Sequence, residues 1–415
     1  MIRRFLDPDS IGSPQYIAAF LLFVYLLQCL WLIHVQMARG VLPDSNHNLC
    51  VYRGLEQWKN GKIAGTPETM RSESITGFPS LGEVEHLRVT EGYDQDRSPL
   101  YYLTCAAPSL IRPSTMQSES TLAQWWATAP YLFFAVMLGG SLWYVARRLY
   151  GNAGGYIALT LYSFSPAMIM GVATAPTLGE MGGTWGAFGT VFTAIAVAHT
   201  LYAPREVILW NARRILLLGL SLFLAIGNQF SLAILALVAL FLMFWIAPVR
   251  PGAVIVIWTT AIAVAATLLF GSYFFRPILF WHALHHARWL DIEPHAFRMS
   301  ASYVKMIHWL LSGSPALGLA LPVAITAYLA WPRSRYFGNT APLGIAGLLV
   351  VLAIASPDFP GLGFRFAFLV FLYVFVSGVL ADLMETRQEA LVRGCVFGLL
   401  GAAALRNLLI LAFLR

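Results

Sequence analysis

The stretch DRSPLYYLTCAAPSLI, residues 96–111, decides how the chain is arranged relative to a membrane. After an acidic–basic pair it continues for 14 residues, from Ser98 to Ile111, without a charged side chain. As a helix, those residues extend about 21 Å, whereas the hydrocarbon core of a bilayer is about 30 Å thick. The segment is therefore too short to cross a membrane, and its position shows which face carries the polar residues around it.

The composition of the chain predicts an all-α polytopic membrane protein. Of its 415 residues, 58% are hydrophobic and only 11% are charged, whereas globular proteins average about 25% charged residues. The net charge of +7 comes from Lys and Arg scattered between apolar blocks, which favours topology-setting charges over binding of nucleic acid. The apolar blocks lie at 15–36, 121–146, 152–172, 178–201, 215–247, 253–275, 315–331, 341–356, 363–384 and 391–414.

The block 215–247 is too long for one span. Its 33 residues would extend about 50 Å as a helix, and Gly227-Asn228-Gln229 interrupts its apolar pattern. We predict a hairpin of two short spans there, which gives about 11 transmembrane helices in all.

Basic and non-basic short connections alternate along the chain, with Arg147-Arg148 and Arg213-Arg214 among the basic ones. The positive-inside rule places the basic connections and the N-terminus in the cytoplasm. Segment 37–120 is then external, and only block 121–146 returns the chain across the membrane. We therefore predict that 96–111 is a juxtamembrane helix on the outer surface, with Tyr101 and Tyr102 at the headgroup level.

A second short helix is predicted in the same external loop, within PDSNHNLCVYRGLEQWKNGKIAG at residues 43–65. Asp44, Ser45 and Asn46 are potential N-caps, and Asn60-Gly61 is a typical helix end. An apolar stripe runs along it through Leu49, Tyr52, Leu55 and Trp58. The rest of the chain divides into a module at 1–275, a second external loop at 276–314 and C-terminal helices at 315–415.

Four polar residues near the membrane are candidate functional residues: Asp44, Arg97, Glu180 and Arg365. A carboxylate inside an apolar span costs about 2.5–3.5 kcal/mol, so Glu180 is either functional or placed at a helix start that favours it. Asp44 is either functional or an N-cap. Arg365 is either a lipid-phosphate contact or an interfacial side chain.

Alternatives also remain open for Arg97, the cysteines and the histidines. Arg97 either contacts substrate or pairs with Asp94 or Asp96. Cys50 and Cys105 are either packed thiols or a disulfide. His282 and His286 share a helix face, but a pair of histidines alone is a weak metal signal.

Several motifs together resemble the GT-C glycosyltransferases, in particular the bacterial branch related to protein O-mannosyltransferases and the lipid A aminoarabinose transferase. The resemblance covers roughly residues 15–200 and depends on the order and spacing of the motifs. They are Pro43-Asp44-Ser45, then WKNGKIAG, DRSPLYYL, ARRLYGNAGG and YSFSPAMIMGVATAP.

The resemblance implies an enzyme of the bacterial inner membrane that moves a sugar from a polyprenyl-phosphate carrier to an extracytoplasmic lipid, glycan or protein. It implies that Asp44 is a general base or a metal-organising carboxylate and that Glu180, near the family's second acidic position, is a second catalytic carboxylate. Arg97 becomes the contact for the carrier phosphate. Tyr101 and Tyr102, in the DRSPLYYL motif, become substrate-binding residues, and Arg365 is a candidate substrate-binding residue from its position near the outer start of an apolar block.

Two other functions remain open. Ser45 occupies the place of the family's second carboxylate, which favours a catalytically silent GT-C-like assembly or lipid-binding subunit. A transporter of lipid-linked saccharides is the third possibility, although the spans carry few midplane charges. The residues require no metal, and a divalent cation remains open.

Overall fold

The structure, a computed structural model, describes residues 13–40, 45–61, 63, 94–111, 121–173, 178–201, 207–290, 292–356, 361–386 and 389–413. These residues form helices and connections, with no β-strand among them. This confirms the prediction of an all-α polytopic membrane protein. Seven of the described helices are long and apolar enough to cross a membrane, or eight if one bent pair counts as a single span. The predicted number of about 11 is not confirmed.

We number the α-helices in chain order. They are α1 (Pro14–Ala38), α2 (Ser45–Asn60), α3 (Pro99–Leu110), α4 (Thr121–Ser163), α5 (Pro166–Ala173), α6 (Leu178–Ala198), α7 (Val207–Asn228), α8 (Ala233–Ile246), α9 (Pro251–Ser272), α10 (Pro277–His285), α11 (Ser300–Gly313), α12 (Pro315–Ala330), α13 (Phe337–Ala355), α14 (Gly361–Met384) and α15 (Glu389–Phe413). The bent pair is α11 and α12, which meet at 111°.

Helix α4 folds back on itself at Gly151, where the backbone leaves the helical region with φ 74° and ψ −171°. The Tyr162 hydroxyl donates a hydrogen bond to the carbonyl of Ala135 at 2.7 Å, although a straight helix would separate these residues by about 40 Å. The two arms therefore run antiparallel, as the separate blocks 121–146 and 152–172 predicted. Arg147 and Arg148 lie beside the turn.

The predicted break in block 215–247 is also observed. Helix α7 ends at Asn228, Gln229 is extended, and α8 begins at Ala233 after a short 3-10 turn. Leu218 of α7 and Met243 of α8 belong to one buried core cluster, whereas an unbroken helix would hold them about 37 Å apart. The chain therefore reverses at the break.

Two compact units divide the chain. The first comprises Met1–Arg39, Ala135–Thr174 and Ile292–Arg415. The second comprises Gly40–Phe134 and Ala175–Asp291, and it contains α2, α3 and α6 to α10. The partition at residues 275 and 314 that the sequence suggested stays a prediction.

Buried amides connect three helices within the first unit. The Gln28 amide of α1 donates to the carbonyl of Ser163 at 3.1 Å, and Asn407 of α15 donates to the Gln28 carbonyl oxygen at 3.2 Å. Such interhelical hydrogen bonds add to van der Waals packing where lipid gives no hydrophobic driving force between helices.

Candidate functional site

Helix α3 has 12 residues, from Pro99 to Leu110, and is too short to span a membrane. Ser98 caps it, because its hydroxyl oxygen accepts from the backbone N–H of Leu100 at 3.2 Å. The same hydroxyl donates to the carbonyl of Gly227 at 2.7 Å. The backbone N–H of Phe230 donates to the carbonyl of Asp96 at 3.1 Å. The start of α3 is thereby attached to the turn between α7 and α8.

Helix α2 packs closely against α3. Its Trp58 indole donates to the carbonyl of Leu103 at 2.9 Å. The thiols of Cys50 and Cys105 also interact across the pair, and burial raises the pKa of Cys50. Ile63 lines one cavity with Arg97 and Pro99, so the end of α2 at Gly61, where φ is +60°, lies beside the start of α3. Both cysteines are reduced.

The described part of α2 buries polar as well as apolar side chains. Cys50, Val51, Arg53 and Gln57 are buried, whereas Trp58 is 46% exposed. This buried face brings an arginine and a glutamine against α3.

A chain of short hydrogen bonds crosses the α2–α3 pair. Nη1 of Arg53 donates to the hydroxyl of Tyr102 at 2.6 Å, and this hydroxyl donates to Oδ2 of Asp94 at 2.5 Å. Burial, and then the negative charge of Asp94, raise the pKa of Tyr102. The phenol therefore remains protonated and holds its place between the guanidinium and the carboxylate.

Arg97 lies next to this chain of hydrogen bonds. Its guanidinium carbon is 4.2 Å from the centroid of the Tyr101 ring, a cation–π distance. The rings of Tyr101 and Tyr102 meet edge to face, with their centroids 5.0 Å apart. Two cationic side chains, Arg53 and Arg97, are thus positioned by adjacent tyrosines of α3.

A cavity of about 10 Å³ lies at this end of the α2–α3 pair. The Gln57 amide and the Tyr273 hydroxyl are both fully buried. Neither of these polar groups has a hydrogen-bond partner among the described residues. The lining residues are Gln57, Ile63, Asp94, Arg97, Pro99, Tyr102 and Tyr273.

Tyr273 is held by an unusual turn after α9. Phe274 and Phe275 both have positive φ, 55° and 54°, which costs a bulky residue roughly 1–2 kcal/mol. The N–H of Phe275 donates to the carbonyl of Phe270, and the N–H of Arg276 to that of Tyr273, both at 3.2 Å. Strain of this kind clusters at functional positions.

No protein-family profile and no curated protein matches the sequence. Among solved structures, the chain is similar to the crystal structure of the apo form of the Archaeoglobus fulgidus oligosaccharyltransferase, with a TM-score of 0.55 and 11% identity. The similarity covers 94% of this chain and 55% of that one. The chain has the GT-C fold. It spans about half the length of the oligosaccharyltransferase, and at this identity the likeness concerns the fold alone.

Within this GT-C fold, the structure brings Arg97, Tyr101 and Tyr102 together. The side chain of Glu180 lies outside what is described, but its backbone is in the first turn of α6. A Cβ built on Gly182 would be 3.2 Å from the Asn228 amide nitrogen. Since the neighbouring Gly227 contacts Ser98, the start of α6 and the start of α3 lie at the same end of the second unit.

Two further predicted site residues are Asp44 and Arg365. Asp44 lies outside the described residues, so its catalytic role stays a prediction. Arg365 is a half-buried residue of α14 in the first unit and is not among the lining residues.

The cluster around Arg97 includes four residues that were not predicted as site residues: Arg53, Gln57, Asp94 and Tyr273. Arg53 and Gln57 are four residues apart and therefore share one face of a helix, which was the signal available in the sequence for these two. Asp94 and Tyr273 are distant in sequence and meet only in the fold. No group of three or more metal-ligating side chains occurs in the part of the chain that the structure describes. His282 and His286 lie on exposed turns with their rings 6.1 Å apart.

Proposed function

We propose that the chain is a glycosyltransferase of the bacterial inner membrane, which moves a sugar from a polyprenyl-phosphate carrier to an extracytoplasmic acceptor. The observation that carries this proposal is the position of Arg97, which is partly exposed and lines a cavity at the start of a helix too short to span. A guanidinium at that level suits a phosphate at the membrane surface, since its planar fork binds two oxygens at once.

The charges around the cavity support an anionic ligand. Arg53 and Arg97 contribute two positive charges, and Asp94 contributes one negative charge, so the three groups carry a net positive charge. Arg53 bonds Tyr102, and of the two arginines Arg97 is the one that lines the cavity. Charge that develops on a departing phosphate is stabilised most where water is scarce.

The proposed reaction is a single displacement. An acceptor hydroxyl or amine forms a bond to the anomeric carbon, the bond from that carbon to the phosphate oxygen breaks, and the acceptor proton passes to a carboxylate. Arg97 holds the departing phosphate. One displacement inverts the anomeric configuration.

Glu180 and Asp44 remain the proposed proton acceptors. The position of α6 favours Glu180, because the helix begins at the same end of the second unit as the Arg97 cluster. Tyr101 and Tyr102 act as substrate-site residues by positioning Arg97, and Arg365 is proposed as a separate lipid contact. The mechanism assigns no step to a metal.

A second candidate function is a catalytically silent GT-C-like subunit that binds a lipid or assists assembly. Ser45, in the place of the second acidic residue, favours it. Sugar transfer in membranes separates the two proposals, because a silent subunit binds the polyprenyl phosphate but does not turn it over. Loss of transfer in Arg97→Ala supports the enzyme.

A further inference from the structure

We propose that the cavity beside Arg97 is a recognition subsite for one hydroxyl group of the sugar on the carrier, with Gln57 and Tyr273 as specificity-determining residues. This inference rests on the proposed function. It assigns a substrate contact to two side chains that the proposed displacement does not use.

The first support is that the polar groups of the two side chains lack hydrogen-bond partners among the described residues. Both amide atoms of Gln57 and the hydroxyl of Tyr273 have no partner among the described residues, and both side chains are fully buried. Burying a polar group without a hydrogen bond is unfavourable, and native proteins contain few such groups. Two of them around one cavity indicate that a ligand group completes their bonding.

The second support is size. A cavity of about 10 Å³ has room for about one water-sized group. A hydroxyl group fits, whereas a phosphate does not. The phosphate is therefore expected at the rim with Arg97, and a hydroxyl of the adjoining sugar inside.

The third support is the side from which a ligand can reach the cavity. Asp94 and Arg97 are partly exposed, whereas Gln57, Tyr102 and Tyr273 are buried. The cavity therefore opens past the charged pair and ends at the two unpartnered groups. A carrier phosphate at Arg97 would place its sugar at this opening.

The chemistry of the lining groups matches a hydroxyl, which both donates and accepts. Asp94 and the Gln57 carbonyl oxygen accept, and the Gln57 amide nitrogen donates. The Tyr273 phenol also donates, because burial and then the charge of Asp94 raise its pKa and keep it protonated. The strained turn at Phe274 and Phe275 holds this phenol in place.

The test compares Gln57→Met and Tyr273→Phe with wild type as full chains in lipid nanodiscs. Each substitution keeps side-chain size and removes the polar atoms. Tyr144→Phe, at a tyrosine that is 58% exposed, is the matched control. The probes are polyprenyl phosphate, a panel of polyprenyl-phosphate hexoses, and monodeoxy forms of the hexose that binds best.

Without a probe, the two variants should have a Tm equal to or higher than that of wild type, since no internal hydrogen bond is lost. They should bind bare polyprenyl phosphate as wild type does and lose at least about tenfold in affinity for the best sugar-loaded carrier, because a site built for a hydroxyl discriminates strongly. One monodeoxy sugar should show the same loss in wild type and no further loss in the variants.

A lower Tm in both variants would overturn the inference, since it would show that an internal partner, such as trapped water, bonds these groups. Wild-type affinity of both variants for the sugar-loaded carrier would also overturn it, as would a wild type that gains no affinity from any sugar in the panel. A wild type that does not bind bare polyprenyl phosphate would instead overturn the proposed function, and this inference with it.

Discussion

Gly54 lies so close to the backbone of Tyr102 that a Cβ built on the glycine would be 2.1 Å from the Tyr102 carbonyl oxygen. The Cβ of Ala106 would be 2.4 Å away. Only glycine allows this approach, and the approach brings Arg53 and Gln57, on either side of Gly54, against α3. The geometry of the site therefore depends on one small residue.

Gly54→Ala should destabilise the protein by about 1–3 kcal/mol, because the new methyl group meets backbone that cannot move without separating the helices. Thermal unfolding in nanodiscs measures the effect as a fall in Tm. The control is Gly344→Ala in α13, where nothing lies within 4 Å of the added Cβ. Equal Tm values for the two variants would show that α2 and α3 are not packed this closely.

Tyr102→Phe removes a hydroxyl that bonds both Arg53 and Asp94. Hydrogen bonds to charged groups contribute about 1.5–3 kcal/mol, and Tyr102 is only 6% exposed, so a loss of that order is expected. Thermal unfolding again gives the value, with Tyr144→Phe as control. A Tm like that of the control would mean that the three side chains are not bonded as described.

The thiol of Cys50 should resist alkylation at pH 8. Burial raises its pKa, so at a given pH the reactive thiolate is scarcer than in an exposed cysteine. Treatment with N-ethylmaleimide, followed by mass spectrometry, compares Cys50 in the folded protein with Cys50 in the detergent-unfolded chain. Reactivity of Cys50 in the folded protein should rise only at strongly alkaline pH. Equal rates of modification in the folded and unfolded chains would exclude the buried position of Cys50.

Reporter fusions after Asp96 and after Arg148 should report opposite sides of the membrane. The prediction follows from α3 being too short to span and from the first arm of α4 being the crossing between these points. The fusion after Asp96 should report the outside. If both fusions report the same side, the position of α3 on the outer surface is wrong, and with it that of Arg97.

The sequence predicted the helical class, the short helices at 45–60 and 99–110, and the breaks near Gly151 and Asn228. These features depend on local signals: block length, a proline in the first turn of α3, and glycine at helix ends. Arg97 was also singled out as a candidate, since a charge at the edge of an apolar run stands out, and its role stays a prediction. Local patterns of this kind are readable because each one is contained within a few turns.

The rest of the cluster was not predictable by such reasoning. No local pattern predicted that Arg53 and Gln57 are buried, and the structure places both against α3. Their burial depends on the close approach of the two helices at Gly54, which only the folded chain shows. Tyr273 reaches the cavity through a left-handed turn at two phenylalanines, a conformation that no sequence preference favours.

The most direct test of the account is sugar transfer from polyprenyl-phosphate donors in membranes that contain wild type, Arg97→Ala, Arg97→Lys or Arg288→Ala. Arg288, which pairs with Asp96 at 3.6 Å and does not line the cavity, is the control for loss of a positive charge nearby. If Arg97 holds the carrier phosphate, Arg97→Ala should lose transfer by about 10²–10³-fold at an almost unchanged Tm. Arg97→Lys should keep part of the activity, because the charge remains without the bidentate fork, and Arg288→Ala should transfer like wild type. Wild-type transfer by Arg97→Ala would contradict the phosphate site and the function proposed from it.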